Sequence, residues 1–365
     1  MMPAKLFLLR PTLGQGGADR VTLTLLQHFD RARFQPALVL SKVSGEYVND
    51  LPPDVPVYSL GGKRLWTAWL PLTSLLRQHK PDILFSTSGG TNVIAVIAHR
   101  LSGSNSRLIL SERNVLMHGE KTNKRRLLTW VKGLLYGRAD QITAVSQGVK
   151  DDLVNQLGIA SEKVTVVYNP IVTDKMLTLA QEPLDHPWFL EDIPVVLGVG
   201  RLVQEKGFDI LIRAIAQVRE KRPVRLVILG EGELRVELQT LIDSLELPGH
   251  IQLVGFDKNP FKYMARCTLF VLSSRYEGLP GALIQSMACG AAVIATDCPA
   301  GPSEIITPEV DGILVPVEDV SAMADQITRL LDSPDLRKTF STNAQKSAVR
   351  FRADAVLENY IVALQ

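Results

Sequence analysis

The sequence contains few cysteines and no long apolar run. Its three cysteines, Cys267, Cys289 and Cys298, show no metal-ligand spacing, and so sparse a set is typical of reduced thiols rather than of a disulfide framework. The absence of any run of about 18 apolar residues argues against a transmembrane helix. The first apolar run, residues 5–9, is too short for the core of a signal peptide. We therefore expect a soluble, cytoplasmic protein.

The chain also lacks an excess of either charge. It has 40 Lys and Arg against 38 Asp and Glu, a net charge of +2 over 365 residues. This balance gives no overall attraction to nucleic acid, which we do not expect as a partner. Apolar residues make up 46% and charged residues 21%, so ordinary cores can form without extensive disorder. The length fits two domains better than one.

Short apolar runs alternate with amphipathic stretches along the whole chain, a pattern that predicts βαβ units and parallel sheets. The runs are apolar on both faces, as in strands that helices cover. In the first half the predicted strands are residues 5–9, 36–40, 82–86, 107–111, 141–145 and 163–167. In the second half they are residues 194–199, 224–229, 250–254, 268–272, 291–296 and 312–315.

The segment between these two series, residues 168–194, has no clean periodicity and is rich in Pro and acidic residues. Such composition is typical of a hinge. We therefore predict an α/β protein of two Rossmann-like, doubly wound domains, residues 1–168 and 194–345, with residues 169–193 as the linker.

Ligands of open α/β sheets bind beyond the carboxyl ends of the strands, so the loops that follow strands are the informative positions. After the first strand, Gly14, Gly16 and Gly17 allow a close approach of the backbone. A helix starting near residue 18 would direct free N–H groups at an anion. The spacing is not G-x-G-x-x-G, and a plain tight turn explains these glycines equally well.

Charged residues follow two strands of the second half. Arg201 and Lys206 stand between a strand and a helix, where two cations suit a diphosphate; the alternative is a pair of solvated surface cations. Glu231 and Glu233 stand in a glycine-containing loop at residues 227–235, and helix capping is the expected role of Glu233.

The stretch SSRYEGLPGALIQSMACG, residues 273–290, places a carboxylate and a helix start after one strand. Glu277 lies in the loop, and Pro280 precedes the helix, as is usual at a helix N-terminus. A similar loop after the next strand carries Gly301 and Ser303. Several loops suited to phosphate on one sheet edge favour a phosphate-bearing ligand more than any one of them does.

These segments resemble, in order and at the right spacing, the signature blocks of glycosyltransferase family 4. The matching segments of the second half are GVGRLVQEKGFDILI, LGEGELR, SSRYEGLPGALIQSMACGAAVIATDCPAGPSEII and VDGILVPVEDV. Weaker matches in the first half are GGADRVTLTL, SERN, TAVSQGV and VVYNPI. The resemblance covers nearly all of the second half.

The resemblance implies the GT-B fold, in which two Rossmann-like domains face a cleft and residues 346–365 form a helix that crosses back to the first domain. It implies a retaining transferase that moves a hexose or N-acetylhexosamine from a nucleotide sugar, most commonly a UDP-sugar. The acceptor would be a glycan or a polyprenyl-lipid-linked glycan in the assembly of surface polysaccharide, lipopolysaccharide or glycoprotein glycans. No cofactor and no metal ion are expected.

The resemblance also implies roles for individual residues. Arg201 and Lys206 would neutralise the leaving nucleoside diphosphate, and Glu277 would contact hydroxyls of the transferred sugar. The further substrate-binding residues assigned on this basis are Gly16, Gly17, Gly200, Glu231, Gly281, Ala282 and Leu283.

Two places depart from the family pattern. The family usually carries a second glutamate eight positions after the first, where this chain has Gln285. An amide still bonds to ribose hydroxyls, but without a charge-assisted bond. Many relatives place a histidine after the fifth strand, where this chain has Arg113 followed by Asn114. We expect these two residues to contact donor or acceptor, with Glu112 as a partner of Arg113 and His118 as a weaker alternative.

A basic stretch, residues 121–138, carries six basic residues and no acidic one. On a helix, one flank would hold Lys121, Arg125 and Lys132, and one face would hold Leu127, Leu128, Val131, Leu134 and Leu135. Three interpretations stay open. The helix lies on an anionic membrane with Trp130 at the interface, it receives the pyrophosphate of a lipid-linked acceptor, or it packs normally by its leucine face.

Two other functions stay open at this point. A GT-B sugar-nucleotide epimerase would need acid and base groups beside the sugar, and the sequence does not assemble them. A catalytically silent nucleotide-sugar binder is motivated by Gln285 in place of the usual glutamate.

Overall fold

The computed structural model describes residues 2–14, 16–62, 65–116 and 123–365, and at 123–126 the backbone alone. The chain forms two compact units, Met1–Pro170 with Ala353–Gln365, and Ile171–Arg352. Each unit contains one parallel β-sheet with flanking helices.

The described strands divide between the two sheets. The first sheet contains β1 (Ala4–Arg10), β2 (Phe34–Leu40), β3 (Val57–Ser59), β4 (Ile83–Ser86), β5 (Arg107–Glu112), β6 (Gln141–Ala144) and β7 (Val164–Val166). The second contains β8 (Val195–Val199), β9 (Arg225–Leu229), β10 (Ile251–Gly255), β11 (Leu269–Leu272), β12 (Ala292–Thr296) and β13 (Ile313–Val315).

The α-helices of the described residues, in chain order, fall into three groups. Those before the second sheet are α1 (Gly17–His28), α2 (Trp69–His79), α3 (Gly89–Ser102), α4 (Asn123–Tyr136), α5 (Gln147–Leu157) and α6 (Asp174–Ala180). Those among its strands are α7 (Phe208–Arg219), α8 (Arg235–Ser244), α9 (Phe261–Met264), α10 (Gly281–Ala288) and α11 (Pro302–Ile305). The last are α12 (Val320–Asp332), α13 (Pro334–Ala348) and α14 (Ala353–Leu364).

The two sheets have the same topology. The first runs β3-β2-β1-β4-β5-β6-β7 and the second β10-β9-β8-β11-β12-β13, with parallel pairing throughout. The strand order reverses between β1 and β4 in the first sheet and between β8 and β11 in the second. Loops that leave the carboxyl ends of such neighbours diverge and open a crevice, which is where doubly wound folds bind ligands.

The predicted α/β architecture is confirmed, and all twelve predicted strands are present. The prediction missed β3, a three-residue edge strand paired with β2. Val57 and Ser59 of this strand are exposed, so it lacks the buried apolar run by which the other strands are recognised.

The segment predicted as a linker, residues 169–193, is packed from Ile171 onward within the second unit. The Leu179 carbonyl of α6 accepts a hydrogen bond from Asn259 Nδ2 at 2.8 Å. Further along, His186 packs edge-on against Phe189 and Tyr263. This part of the chain is therefore an ordered piece of the second unit.

The closing helix α14 belongs to the first unit, although the residues just before it belong to the second. Its Tyr360 ring packs edge-on against Phe85 of β4, and the Tyr360 hydroxyl donates to Asn169 Oδ1 at 3.2 Å. Within the described ranges, no helix is both long and apolar enough to cross a membrane.

Candidate functional site

The crevice between β8 and β11 of the second unit holds a buried ion pair. Lys206 Nζ lies 2.6 Å from Glu277 Oε1, and the two side chains are 22% and 9% exposed. The Ser274 hydroxyl donates to the same oxygen at 2.7 Å. Glu277 Oε2 accepts no hydrogen bond from any described residue. Glu277 is thus held in place by one carboxylate oxygen, while the other stays open.

Glycine and serine explain why the two loops lie so close. Gly207 follows the turn Gln204–Lys206 with φ +60, and a Cβ there would come within 2.1 Å of the Ser273 carbonyl oxygen. The Ser273 hydroxyl donates to the Lys206 carbonyl at 2.9 Å. A side chain at 207 would therefore push the Lys206 turn off the end of β11.

A second cation, Arg201, lies near the beginning of the same loop, two residues after β8 ends. Its side chain is exposed and makes no hydrogen bond or ion pair with the described residues. Gly200 leaves room for the Lys206 stem, whose Cδ would lie 3.4 Å from a Cβ at that position. The structure thus places Gly200, Arg201 and Lys206 in one loop, with Arg201 free to bind an anion.

The start of α10 offers backbone donors beside Glu277. Pro280 is the N-cap, and the amides of Gly281 and Ala282 make no hydrogen bond within the described residues. The Leu283 amide instead donates to the Pro280 carbonyl at 3.1 Å, and its side chain is fully buried. Two of the three predicted donors are therefore open, because the first turn of a helix leaves its N–H groups unpaired.

Gln285 and Glu231, which were also predicted to bind substrate, lie in different surroundings. Gln285, one turn into α10, is half-buried, and its side chain makes no hydrogen bond with the described residues. Glu231 follows β9, next to β8 in the sheet, and forms an ion pair with Arg235 at 3.1 Å. Both residues of that pair are largely exposed, so the carboxylate remains accessible.

The loop after β12 packs against the loop that carries Glu277. A Cβ on Gly301, which has φ +93, would lie 2.5 Å from Pro280 Cδ. The Cys298 thiol is buried in this loop, and its pKa is raised to about 12, first by burial and then by the charge of Glu277. The thiol is consequently neutral at physiological pH and adds no charge to the site.

The corresponding crevice of the first unit, between β1 and β4, contains a different ion pair. Arg10 at the end of β1 lies 2.5 Å from Asp19 of α1, and both side chains are buried. Asp19 also accepts from the Gly16 amide at 3.2 Å, and Gly16 is the N-cap of α1. Gly17 has no heavy atom within 4 Å of a Cβ position, so this glycine borders open space.

Arg113, which follows β5, is buried rather than exposed. Its Nη1 donates to the Ala18 carbonyl at 3.2 Å, while Nε and Nη2 have no partner among the described residues. Burial lowers the pKa of its guanidinium to about 10, so the side chain stays charged at neutral pH. Asn114 is exposed. The unpaired buried nitrogens are consistent with a group that awaits an anionic or hydroxyl partner.

The predicted pairing of Arg113 with Glu112 is wrong at the side-chain level. Glu112 Oε2 accepts from Lys132 Nζ at 3.0 Å and from the Tyr136 hydroxyl at 2.9 Å. The Glu112 side chain is only 5% exposed, so its charge requires a close cation, and α4 supplies one. Burial, followed by the charge of Glu112, raises the pKa of Tyr136.

The same contact corrects the prediction for Lys132, which belongs to the packed side of α4 and not to a surface flank. The leucine face is also not the packed face. Gly133 and Tyr136 are buried, whereas Leu127, Leu128 and Trp130 are about 60% exposed. Lys121 and His118 lie outside the described residues, as does the side chain of Arg125.

Sequence reasoning missed Ser274, which orients Glu277, and Arg275, which has hydrogen bonds to several loops. Ser274 is only three residues from Glu277, but their contact depends on the conformation of the loop; the partners of Arg275 stand far away in the sequence. Among the described residues, no three His, Cys, Asp or Glu side chains are grouped as a metal ion would require.

The Lys132–Glu112 pair allows a test of the packing of α4. We expect Lys132→Met to lower the free energy of unfolding of the first unit by about 3 kcal/mol, because it leaves Glu112 buried without its cation. Hydrogen exchange of the β5 and α4 amides would measure the loss. The double variant Lys132→Met/Glu112→Gln should recover part of it. Unchanged exchange in the single variant would contradict the assignment.

Comparison with known families gives two matches that together span most of the chain. Residues 185–347 match glycosyl transferases group 1, and residues 15–175 match Glycosyltransferase Family 4.

Two curated relatives come from Campylobacter jejuni. The chain is 33% identical over 356 residues to N-acetylgalactosamine-N,N'-diacetylbacillosaminyl-diphospho-undecaprenol 4-alpha-N-acetylgalactosaminyltransferase, covering 93% of each protein. It is 25% identical over 362 residues to GalNAc-alpha-(1->4)-GalNAc-alpha-(1->3)-diNAcBac-PP-undecaprenol alpha-1,4-N-acetyl-D-galactosaminyltransferase, covering 96% of this chain and 95% of the relative.

Among solved structures, HepE of Anabaena in complex with UDP and glucose has a TM-score of 0.81. The identity is 21% and the match covers 99% of both chains. At this identity the likeness is one of fold, the two-domain GT-B architecture. Together with the family matches and the relative of 33% identity, it shows that the chain belongs to glycosyltransferase family 4.

Proposed function

We propose that the chain is a retaining, metal-independent glycosyltransferase that uses a UDP-sugar as donor. The transferred sugar would be a hexose or N-acetylhexosamine, and the acceptor a glycan carried on a polyprenyl diphosphate. The observation that carries this proposal is the Lys206–Glu277 pair at the β8–β11 crevice, with Arg201 and the amides of Gly281 and Ala282 left open.

Leaving-group stabilisation is the task that these groups suit. When the bond from the sugar anomeric carbon to the diphosphate oxygen breaks, its electron pair stays on the diphosphate. Lys206 and Arg201 would stabilise that charge, and the Gly281 and Ala282 amides would donate to its oxygens. Preorganised cations of this kind supply what a divalent metal ion otherwise would. This is the reason for proposing metal independence.

Glu277 would fix the transferred sugar. Its Oε1 is held by Lys206 and Ser274, so its Oε2 is positioned to accept a hydrogen bond from a sugar hydroxyl. Such a bond to a charged acceptor is stronger than one between neutral groups. Gln285 is proposed to contact the ribose with both halves of its amide, and Gly200 and Glu231 to border the nucleotide. Retention is proposed from family membership.

In the first unit, Gly16 and Gly17 are proposed to contact the donor, and Arg113 and Asn114 to contact donor or acceptor. The proposal of a lipid-linked acceptor and a UDP-sugar is supported by what similar proteins use. The two Campylobacter relatives are named for diphospho-undecaprenol glycans, and HepE was solved with UDP and glucose. A role in surface polysaccharide or lipopolysaccharide assembly would follow from such an acceptor.

A transfer assay with UDP-, GDP- and ADP-sugars and a polyprenyl-diphosphate glycan tests the proposal. We expect one UDP-sugar to give product, and EDTA should leave the rate of transfer unchanged. NMR should show that the product keeps the anomeric configuration of the donor. Glu277→Gln should lower kcat about 100-fold, since it removes the charge from the sugar contact, while UDP affinity stays within about threefold. Glu233→Gln is the matched control, an exposed carboxylate of a neighbouring loop, and should stay active.

Several outcomes would contradict this account. Full activity of Glu277→Gln would refute the role of Glu277, loss of turnover with EDTA would refute metal independence, and an inverted product would refute retention. Conversion of the free sugar nucleotide without acceptor would favour an epimerase. UDP binding without any turnover would favour a silent binder.

We also propose that the protein is cytoplasmic and lies on the inner face of the cytoplasmic membrane, with α4 against anionic lipid. The exposed Leu127, Leu128 and Trp130 give α4 an apolar face that the unit does not cover. Helix α2 packs on α3 and α3 on α4, and none of these three helices contains an Asp or Glu. Trp66, just before α2, is a further exposed aromatic side chain.

This arrangement suits a negatively charged surface with an apolar interior. Tryptophan and leucine would enter the boundary between headgroups and acyl chains, and the basic residues of the carboxylate-free helices would meet the headgroups. Lys121 and Arg125 are proposed to take part in this contact. Lys132 is not, because its ammonium group is paired with Glu112.

Co-sedimentation with vesicles containing phosphatidylglycerol tests the membrane proposal. Leu127→Ser/Trp130→Ser should weaken binding at least about tenfold, because two large apolar side chains no longer enter the bilayer. Leu190→Ser/Val236→Ser, which changes two equally exposed apolar residues of the second unit, should bind like wild type. Wild-type protein that stays in the supernatant would refute the proposal, as would equal effects of both double variants.

A further inference from the structure

Arg275 lies two residues before Glu277, and its guanidinium is fully engaged. Nη1 donates to the Gln204 carbonyl and to Asp209 Oδ1, both at 2.8 Å. Nη2 donates to Asp209 Oδ2 at 2.7 Å and to Glu318 Oε2 at 3.2 Å. Nε donates to Glu318 Oε1 at 2.5 Å.

These contacts decide what Arg275 can and cannot do. A guanidinium has five N–H donors, and five hydrogen bonds to protein oxygens use them all. Nothing is left to bind a phosphate or a sugar hydroxyl. Although Arg275 is a cation in the loop of Glu277, it therefore acts on other residues of the site and not on a ligand.

The partners of Arg275 belong to three different segments: a turn, the start of a helix and a loop. Gln204 lies in the turn that ends in Lys206, Asp209 lies in the first turn of α7, and Glu318 precedes α12. The main chain adds one more contact, because the Arg275 amide donates to the Glu205 carbonyl at 2.8 Å. We call this set of contacts, from Arg275 to Gln204, Glu205, Asp209 and Glu318, the clamp. The carbonyls of two successive residues before Lys206 thus both accept hydrogen bonds from Arg275.

Glu318 gives independent evidence that the clamp constrains its surroundings. Its φ is +66, a left-handed conformation that residues other than glycine adopt rarely and at a cost. Both of its carboxylate oxygens accept from Arg275. The ion pair offsets that cost and holds the loop before α12 beside the loop of Glu277.

The charges of the clamp are mutually stabilised. The hydrogen bonds that Arg275 donates to Asp209 raise the pKa of Arg275 against the effect of burial. Burial alone would raise the pKa of Asp209, but its hydrogen bonds and attraction to Arg275 outweigh this, and the pKa is lowered. Arg275 and Asp209 are thus both charged at neutral pH.

We propose that Arg275 is the positioning residue that sets the separation of Lys206 and Glu277. It fixes the Lys206 turn through the Gln204 and Glu205 carbonyls, and it fixes the Glu277 loop because it is part of that loop. The inference rests on the proposed roles of Lys206 and Glu277 in transfer. Its consequence is that removing Arg275 impairs catalysis without removing any group that touches the substrates.

The test compares Arg275→Met with Arg329→Met. Arg329 is a matched control in the same unit, because it also forms a two-oxygen ion pair, with Glu309, whose φ is likewise positive at +62. We expect Arg275→Met to lower kcat/KM for the donor about 30-fold at a temperature well below unfolding, since small displacements of reacting groups are costly. Arg329→Met removes a more exposed ion pair, so it should lower Tm less, and it should leave kcat/KM unchanged.

Addition of guanidinium ion at millimolar concentration supplies a readout that a general loss of stability would not give. It should restore part of the kcat/KM of Arg275→Ala and none of the loss caused by Glu277→Gln. If Arg275→Met loses Tm but keeps its kcat/KM, the proposal is overturned. If these variants do not fold, Arg275→Lys keeps a cation but lacks the planar guanidinium that reaches Gln204, Asp209 and Glu318 together, and wild-type kcat/KM in that variant overturns the proposal equally.

The outcomes separate this inference from the proposed function. Full activity of Glu277→Gln with an impaired Arg275→Met would refute the role of Glu277 and leave the clamp in place. An impaired Glu277→Gln with a fully active Arg275→Met would refute the clamp alone.

Discussion

The ion pair between Lys206 and Glu277 is the interaction on which the carboxyl edge of the second sheet depends. Both side chains are largely removed from solvent, where an unpaired charge is costly, so pairing favours contact between the loops after β8 and β11. Gly207 permits the contact, since only a residue without Cβ fits below the Ser273 carbonyl. The strand order makes it possible, because β8 and β11 are neighbours although about 70 residues separate them in sequence.

The first unit repeats the winding but uses its crevice differently. Its edge holds Arg10 against Asp19 and, beyond them, the buried Arg113 with two unpaired nitrogens. Arg113 adds a cation beyond the Arg10–Asp19 pair there, as Arg201 adds one beyond the Lys206–Glu277 pair in the second unit. The other buried carboxylate, Glu112, is neutralised by Lys132. Each of the two similar folds thus places an additional cation near a helix start, a property suited to phosphate-bearing substrates.

The sequence was sufficient for most of the fold because buried parallel strands leave continuous apolar runs. It was also sufficient to place Arg201, Lys206 and Glu277, since the loops after strands are where the fold collects ligand groups. It was insufficient where a role depends on distant partners. Arg275 reaches Asp209 and Glu318, 66 and 43 residues away, and no local spacing indicates this.

The orientation of α4 is a second feature that the local sequence pattern did not predict. Its leucines form one helical face, which predicts packing inward if packing follows hydrophobicity alone. The buried carboxylate of Glu112 and the close approach of Gly133 to the Leu157 carbonyl favour the opposite side. The need to neutralise one charge and to fit one backbone thus outweighs the burial of several leucines, and it leaves them on the surface.

The most direct test of the central claim is a crystal structure of the protein with UDP, grown in the presence of EDTA. We expect diphosphate oxygens within about 3.5 Å of Lys206 Nζ and of the Gly281 amide nitrogen. Glu277 Oε2 should face the space beside the terminal phosphate. A diphosphate bound away from the β8–β11 crevice, with Lys206 and Glu277 paired as before and Arg201 still without a partner, would contradict this claim.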